Sequence, residues 1–354
     1  MNKLATLAVI CSILVGCQES EGDTTVRDYS EHFSALPEVA AFPKDNPYSI
    51  EKAKLGEFLF WDPILSGAEN VACASCHHPD FGWADGRAFS IGADGVGLGP
   101  DRFGFAQTPI HSPTVANTAF TGLENNTDLE TFVAGPYFWD LRAASLEAQS
   151  LGPIANEIEM RGEHISPEDI FPLIESRLTS IQEYQALFQN AFPESPEITI
   201  DLVAKALATY QRTLTASNSR FDQFMAGDTT VFTSEEVAGL NTFIDAGCVR
   251  CHGGPMLSDN LIHESQPVLQ GLPAVRTPSL RNVSTTAPYM HTGERDTLRS
   301  AIGIYEGRDD LELSFGDDHI SRVEAFLRTL DTPELSKAVP AYVPSGLPIG
   351  GDIN

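Results

Sequence analysis

The sequence predicts an all-α protein made of two similar helical domains. Apolar residues recur at helical spacing wherever a period can be read, and the sustained alternation of apolar and polar residues that is typical of half-buried strands is hard to find. The chain has 354 residues, which is long enough for two hydrophobic cores. A helical segment followed by the pattern C-x-x-C-H and then by an aspartate occurs twice, which indicates a repeated unit.

The helices in the first half of the chain have recognisable starts. In "SIEKAKLGEFLF", Ser49 is the expected N-cap, and Leu55, Phe58 and Leu59 share one face. The segment "SPEDIFPLIESRLTSIQEYQALF" begins with Ser166 as the expected cap, followed by a proline and an acid that suit a first turn. Both segments therefore predict helices with one buried face.

Three further helices are expected in the second half. "IDLVAKALATYQRTL" carries one apolar stripe, "TSEEVAGLNTFIDAG" begins with a capping box formed by Thr233 and Glu236, and a last helix lies near residue 325. The apolar residues on these faces are Val203, Ala206, Leu207, Tyr210 and Leu214, then Val237, Leu240, Phe243 and Ile244, then Ile320, Val323, Phe326, Leu327 and Leu330.

The expected domain order follows from these helices and from the composition between them. We predict a signal peptide at residues 1–17, a flexible tether at 18–35, an N-terminal domain at 36–165 and a C-terminal domain at 166–345. Residues 80–137 are rich in Gly, Pro, Asn and Thr, which predicts long ordered loops. Loops of this length in a compact domain usually wrap around something.

The N-terminus has the pattern of an export signal. Lys3 precedes the apolar stretch "LATLAVICSILV", which is too short to span a bilayer. The ending "LVGC" is similar to a bacterial lipobox, which predicts lipid attachment at Cys17 on the periplasmic side of a membrane; a plain secretory leader is the alternative.

Composition restricts the partners. Lys and Arg total 22 against 49 Asp and Glu, a formal charge of −27. An acidic surface of this size repels nucleic acid and anionic membranes, so we expect no nucleic acid, membrane contact only through the lipid anchor, and a partner protein with a basic patch.

Outside the leader and Cys17, the cysteines all belong to the two C-x-x-C-H motifs, so none remains for a distant disulfide.

The two motifs consist of Cys73, Cys76 and His77, and of Cys248, Cys251 and His252. In this pattern the thiols can form thioethers with haem vinyl groups while the histidine binds the iron, so each motif predicts one covalent c-type haem. A zinc site of four thiolates and a thioredoxin-like redox pair are the alternatives. Two haems serve either electron transfer or chemistry at an iron with an open position.

Several longer stretches carry a family resemblance. "FWDPILSGAENVACASCHHPDFGWADGRAFSIG", "FWDLRAASLEAQSLGPIANEIEM", "GCVRCHGGPMLSD" and "RTPSLRNVSTTAPYMHTGERDTLRSAI" closely resemble the bacterial di-haem cytochrome c peroxidase and MauG family, from about residue 36 to residue 332. The resemblance implies two cytochrome c-like domains. It also implies that the iron bound by His77 reacts with hydrogen peroxide and that the iron bound by His252 handles electrons.

Two positions differ from ordinary peroxidases of that family. Those proteins have a histidine sixteen places after the first haem ligand, and it blocks the iron until the enzyme is reduced. This chain has Ala93 at that place, in "SIGA", so the resemblance implies an open iron. His78 and His111 are the residues that could replace the blocking histidine. Ordinary members use a methionine fourteen residues after the position of His291, and this chain has Tyr305 there, as MauG-like members do.

Tyr305 as ligand of the second iron has structural alternatives. Met256 or Met290 could bind instead, with Tyr305 a core aromatic. Phenolate is a hard anionic donor that favours ferric iron, whereas a thioether raises the reduction potential. A phenolate ligand therefore suits a haem that stores oxidising equivalents.

The resemblance also implies roles around the first haem. Glu147 matches the family's distal glutamate, which moves a proton during peroxide cleavage, and Arg142 matches a neighbouring arginine that an ion pair would explain equally well. The family's glutamine before "FWD" is Tyr137 here. Trp83 and Trp139 are expected either to relay electrons or simply to pack.

The resemblance also implies a bound Ca²⁺, with backbone oxygens of Thr286 and Pro288 as ligands. His111 stands where the family usually has an asparagine.

Taken together, the expected function is a di-haem peroxidase-family oxidoreductase that, like MauG, oxidises a side chain of a partner protein. An ordinary peroxidase with a small redox protein as its electron donor is one alternative, and a di-haem electron carrier is the other.

Overall fold

The computed structural model describes residues 22–263, 274–307, 315–333 and 335–353. In these ranges the chain is helical, and β-structure is limited to isolated bridges, which confirms the all-α prediction. The α-helices of these ranges are α1 (Ile50–Trp61), α2 (Leu146–Ala155), α3 (Ile170–Ser180), α4 (Gln182–Ala191), α5 (Ile200–Thr213), α6 (Arg220–Met225), α7 (Ser234–Asp245), α8 (Leu298–Ile302) and α9 (Asp317–Leu327).

The N-terminal core forms around the pairing of α1 with α5. The predicted stripe of α5 is buried, and Leu55 and Leu59 of α1 are fully buried against it. Gly56 allows the two backbones to meet, because a Cβ there would lie 2.0 Å from the carbonyl oxygen of Ala206. Ser49 caps α1 as predicted, accepting from the amide of Lys52.

The C-terminal core repeats this arrangement with α7 and α9. A Cβ on Gly239 of α7 would lie 2.0 Å from the carbonyl oxygen of Arg322 in α9, so this pair also depends on a glycine. The capping box of Thr233 and Glu236 is present as predicted. The apolar face predicted for the last helix is buried, although Leu330 lies in a 3₁₀ turn, Arg328–Leu330, that follows α9.

The start of α3 differs from the prediction. The helix begins at Ile170 with Asp169 in the N-cap position, not after Ser166. The hydroxyl of Ser166 instead donates to the carboxylate of Asp169 at 2.7 Å, which completes a turn before the helix. Serine and aspartate side chains compete for local backbone and side-chain partners in this way, so the helix start moves by one turn.

The helices α3, α4 and α5 pack in the N-terminal core with α1, and so do Leu335 and Val343 near the C-terminus. This packing differs from the expectation that residues 166–345 form one domain, because the apolar faces of these three helices have their partners in the first half of the chain. We therefore propose a changeover near residue 217, after Ala216, and a return of the chain to the N-terminal domain after residue 334.

Residues 22–35 do not behave as the predicted tether. Tyr29 and Phe33 are buried in the C-terminal core, and the side-chain amide of Asn241 in α7 donates to the backbone carbonyls of Asp23 and Thr25. Two buried aromatic side chains attach this segment to the domain. The predicted leader and Cys17 lie outside the described residues. None of the described helices is long and apolar enough to cross a lipid bilayer.

Candidate haem sites

The first motif (Cys73, Cys76 and His77) is shaped by a 3₁₀ turn, Cys73–Ser75. The backbone amides of Cys76 and His77 donate to the carbonyl oxygen of Cys73 at 3.2 and 3.0 Å, which places both thiols and the imidazole on one short loop. Nδ1 of His77 lies 3.3 Å from the carbonyl oxygen of Trp83. A ring whose Nδ1–H donates to a carbonyl presents its Nε2 lone pair to a metal.

A cavity lies against this motif, and all three motif side chains line it. Apolar side chains such as Phe60, Val71 and Leu207 form other parts of its wall. Burial lowers the pKa of His77 to about 4, so its imidazole is neutral, which is the form that binds iron. Burial raises the pKa of Cys73 to about 12, whereas the cysteines of a reactive redox pair have lowered pKa values. These residues fit a covalent haem.

The second motif (Cys248, Cys251 and His252) has the same local geometry. Its 3₁₀ turn is Cys248–Arg250, and the amide of His252 donates to the carbonyl oxygen of Cys248 at 3.0 Å. Nδ1 of His252 lies 3.0 Å from the carbonyl oxygen of Leu257, so Nε2 is again the free nitrogen. Burial lowers the pKa of this imidazole as well.

A four-thiolate zinc site does not fit this arrangement. Cys73 packs with the N-terminal core and Cys248 with the C-terminal core. Among the described residues, the group with metal-ligand spacing is Cys251, Asp259 and His263, which includes just one of the four thiols. The βαβ context of a thioredoxin-like pair is also missing from the described part of the chain.

The two histidines that could block the first iron, His78 and His111, do not line the cavity. His78 packs edge-on against Trp61, and His111 has its Nδ1 2.8 Å from the carbonyl oxygen of Arg87. Neither histidine is among the residues that line the cavity. Met160, which no sequence motif marks as a ligand, does line it and packs with the N-terminal core.

Tyr305, Met290 and Met256 are the candidates for the sixth ligand of the second iron, and their ligand roles stay predictions. Tyr305 ends a 3₁₀ turn, Gly303–Tyr305, and is partly buried against the C-terminal core. Met290 packs against the same core, whereas Met256 is buried in a separate cluster with Leu36 and Phe120. The packing of Tyr305 and Met290 on one core keeps both close to the second motif's domain.

Glu147 lies outside the cavity of the first motif. Its carboxylate makes a bidentate ion pair with Arg212, at 2.6 and 3.0 Å, and accepts from the side-chain amide of Asn46 at 2.8 Å. Burial raises the pKa of Glu147, but the hydrogen bonds and charge of Arg212 outweigh it and hold the pKa below its usual value. Arg142 is about half exposed and pairs with Asp140 at 2.8 Å.

Tyr137, Trp83 and Trp139 are buried. Tyr137 donates from its hydroxyl to the carbonyl oxygen of Thr118 at 3.1 Å. Trp83 is fully buried beside Trp61, with a ring-centroid distance of 6.5 Å, and Trp139 packs edge-on against His291. Packing accounts for all of these side chains, and a relay role for either tryptophan stays a prediction.

Two polar side chains near the first motif, Glu159 and Gln211, were missed from the sequence, and a third, Asp85, was noted only as part of the repeat. Glu159 and Gln211 line the cavity, and Asp85 is buried in the loop that follows the motif. Burial raises the pKa of Asp85 to about 7. The aspartate eight residues after His77 was visible as part of the repeat, but nothing in the sequence marks the other two as cavity residues.

Comparison with known proteins agrees with this geometry. Residues 50–230 match the family model described as di-haem cytochrome c peroxidase. The chain is 32% identical to a cytochrome c551 peroxidase of Nitrosomonas europaea over 84% of this chain and 85% of the relative. It is also 32% identical to the methylamine utilization protein MauG of Methylorubrum extorquens, over 87% and 84% of the two chains.

A solved structure supports the same conclusion. A MauG-like protein associated with microbial copper homeostasis superposes with a TM-score of 0.69 at 25% identity, covering 85% of this chain and 98% of that one. The family model, the relatives and the two haem-binding motifs agree, and together they imply two c-type haems. The chain is a member of the di-haem cytochrome c peroxidase family, and it is therefore an oxidoreductase of the peroxidase type.

Proposed function

We propose that the protein binds hydrogen peroxide at the haem of the first motif and takes electrons through the haem of the second motif. The observation that carries this proposal is the cavity beside His77, which has no second histidine among its lining residues. Ala93 stands where ordinary members have the blocking histidine, and alanine has no ligand atom. An iron with one open position can bind a small molecule, whereas an iron with two strong ligands transfers electrons only.

The spin state of the purified ferric protein tests this proposal. We expect a high-spin component in the electron paramagnetic resonance and absorption spectra, and a reaction with peroxide without prior reduction. Two low-spin haems and no reaction with peroxide would instead identify an electron carrier. A charge-transfer band typical of methionine ligation on the first haem, lost in Met160→Leu, would assign Met160 as the blocking ligand.

The choice between a MauG-like modifier and an ordinary peroxidase depends on Tyr305. We propose that its phenolate binds the second iron and stabilises oxidised forms, so that the protein oxidises a side chain of a partner protein. Peroxide added without a donor should then give a long-lived oxidised form that Tyr305→Phe loses. Rapid turnover with a reduced small redox protein, unchanged in Tyr305→Phe, would favour the ordinary peroxidase.

The partner and the location follow from charge and from the N-terminal sequence. With a formal charge of −27, the protein is expected to bind a partner with a basic patch, and the binding should weaken with salt. We propose a periplasmic protein that is anchored by a lipid at Cys17. Cys17→Ser should release it from the membrane fraction; retention of this variant there would contradict the anchor.

We also propose a Ca²⁺ ion bound by backbone oxygens of Thr286 and Pro288. This segment lies against the loop of the first motif, since a Cβ on Gly82 would lie 2.5 Å from the hydroxyl oxygen of Thr285. A cation there would connect the two haem-bearing regions. Metal analysis of purified protein should find about one calcium per chain, and chelation should change the haem spectra; calcium-free protein with unchanged spectra would contradict this proposal.

A further inference from the structure

The last described part of the chain, residues 335–353, lies on the N-terminal domain beside the first motif, and we call it the C-terminal segment. Its apolar side chains join the N-terminal core. The hydroxyl of Ser345 donates to the carboxylate of Asp62 at 2.7 Å. The amide of Gly350 donates to the carbonyl oxygen of Trp61 at 2.7 Å. Packing and hydrogen bonds together fix the position of the segment on the domain.

One contact of the C-terminal segment reaches the first motif itself. Ser75 stands between the two cysteines of the motif, and its hydroxyl donates to the carbonyl oxygen of Gly350 at 2.7 Å. The hydroxyl oxygen of Ser75 also accepts from the amide of Ala72 at 3.0 Å. The loop that carries His77 is therefore attached to the C-terminal segment from inside the C-x-x-C-H pattern.

A second contact reaches Trp83, whose carbonyl oxygen lies 3.3 Å from Nδ1 of His77. The indole nitrogen of Trp83 donates to the carbonyl oxygen of Ser336 at 2.9 Å. The carbonyl oxygen of Trp83 also accepts from the amide of Val115 at 3.1 Å. The imidazole hydrogen bond joins the motif loop to Trp83, and both of these are attached to the C-terminal segment.

The backbone of Trp83 has an unusual conformation. Its φ is 63°, in the left-handed region, which a bulky residue adopts only when its surroundings impose it. Leu257, whose carbonyl oxygen lies 3.0 Å from Nδ1 of His252 in the second motif, has a φ of 47°. The same unfavourable conformation thus accompanies the histidine hydrogen bond in both motifs. The side chain of Leu257 has no hydrogen-bonding atom, so the attachment through an indole is particular to the first motif.

The hydrogen bond from Nδ1 affects how strongly Nε2 binds a metal. An imidazole whose Nδ1–H donates to a carbonyl is a more basic ligand than one without this bond. A more basic ligand favours ferric iron, so the bond lowers the reduction potential of a haem that His77 holds. Loss of such a hydrogen-bond partner typically changes metal affinity or activity by about 10- to 100-fold.

We propose that the C-terminal segment holds Trp83 and the first-motif loop in register, and that Trp83 is a positioning residue which orients the His77 imidazole and thereby sets the reduction potential of the first haem. The chain enters this segment from the C-terminal domain, so the segment also connects that domain with the ligand of the first iron. The inference rests on the proposed function for its effect on the peroxide reaction, whereas the effect on the potential does not require peroxide to bind.

Trp83→Phe tests the proposal in the haem-loaded protein, because it keeps an aromatic ring and removes the donor to Ser336. We expect the reduction potential of the first haem to rise by about 59 mV or more, which is a tenfold change in the ratio of reduced to oxidised iron. The second haem should keep its potential. The iron–histidine stretching band of the reduced first haem should move to lower frequency, and the peroxide rate should fall by about 10- to 100-fold. Spectroelectrochemistry, resonance Raman spectroscopy and stopped-flow kinetics measure these changes.

Trp61→Phe is the matched control. Trp61 is buried in the same core, its ring centroid lies 6.5 Å from that of Trp83, and it bonds to Gly350 through its backbone carbonyl, which the substitution keeps. We expect wild-type potentials in this variant. Ser75→Ala should raise the potential of the first haem, and Ser75→Thr, which keeps a hydroxyl, should restore it.

A wild-type potential of the first haem in Trp83→Phe, or an equal shift in Trp61→Phe, would overturn the inference. If Trp83→Phe does not incorporate both haems, the two variants of Ser75 decide, and a wild-type potential in Ser75→Ala overturns it. If the wild-type protein does not react with peroxide while Trp83→Phe still shifts the potential, the proposed function is overturned and this inference is supported.

Discussion

The two C-x-x-C-H regions have the same local geometry but different surroundings. In both, a 3₁₀ turn places the cysteines, and the histidine Nδ1 lies close to a carbonyl oxygen five or six residues later, at 3.3 Å for His77 and 3.0 Å for His252. Just after this point the two regions diverge. The first continues into the buried Asp85, and the second into a loop that pairs Asp259 with His263 at 2.7 Å.

The aspartates after the two motifs show the difference most clearly. Asp85 is 1% exposed and forms no ion pair within the described residues, whereas the Asp259 side chain is 23% exposed and has an ion-pair partner. The motif therefore determines how a haem is attached and which histidine nitrogen is free. The residues around it determine solvent access and charge, and through these which haem can do chemistry.

The largest expected effect comes from removing one attachment at a time. Cys73→Ser combined with Cys76→Ser should leave one haem per chain and abolish the reaction with peroxide and cyanide. Cys248→Ser with Cys251→Ser should also leave one haem but keep cyanide binding at the first haem. Haem quantification and cyanide titration measure both outcomes, and equal loss of cyanide binding in the two variants would show that the sites are not functionally distinct.

The second largest effect is expected when the buried ion pair of the C-terminal core is broken. The side chains of Arg281 and Asp222 are 1% and 5% exposed, 2.8 Å apart. Asp222→Asn leaves a buried guanidinium without its anion, which costs about 3–5 kcal/mol of unfolding free energy. Calorimetry should show the C-terminal transition moving to lower temperature. Asp228→Asn, at an exposed turn of the same domain, is the control. Similar shifts of the unfolding temperature in the two variants would contradict the explanation by an unpaired buried guanidinium.

A smaller effect, dependent on pH, is expected at Asp85. Because burial raises its pKa from 3.8 to about 7, the folded state favours the protonated form, and its contribution to stability is lost as pH rises from about 4 to above 7. The difference amounts to about 4 kcal/mol at most. Asp85→Asn should therefore be more stable relative to wild type at pH 8 than at pH 5.

Thermal unfolding at the two pH values measures this difference. Asp259→Asn makes the same substitution at the corresponding position of the second motif, where the side chain is partly exposed. An equal dependence on pH in the two variants would contradict the contrast between the regions.

The smallest effect is expected for Arg142. Its ion pair with Asp140 is about half exposed on both sides, and such pairs contribute about 0–1 kcal/mol. Arg142 is also not among the residues that line the cavity of the first motif. Arg142→Ala should therefore change the peroxide rate by less than about fivefold, or about 1 kcal/mol of activation free energy. Stopped-flow kinetics measure it, and a loss of a hundredfold or more would restore the catalytic role that the family resemblance implies.

Much of the architecture could be predicted from residue patterns alone. The helix caps at Ser49 and Thr233, the buried stripe of α5 and the two haem-binding motifs depend on contacts within a few residues of one another, and local spacing encodes such contacts directly. The start of α3 was missed, because Ser166 and Asp169 interact with each other before the helix begins.

The remaining features depend on contacts between distant parts of the chain, which no local pattern records. The partner of Glu147 is Arg212, 65 positions away, and that ion pair turns the carboxylate toward a cleft. Glu159 reaches the cavity because its turn packs against Gly92, and helices α3 to α5 join the N-terminal core because their apolar faces fit α1. Motif spacing establishes that two haems are attached; the packing of side chains far apart in sequence establishes which acid lies beside the first one.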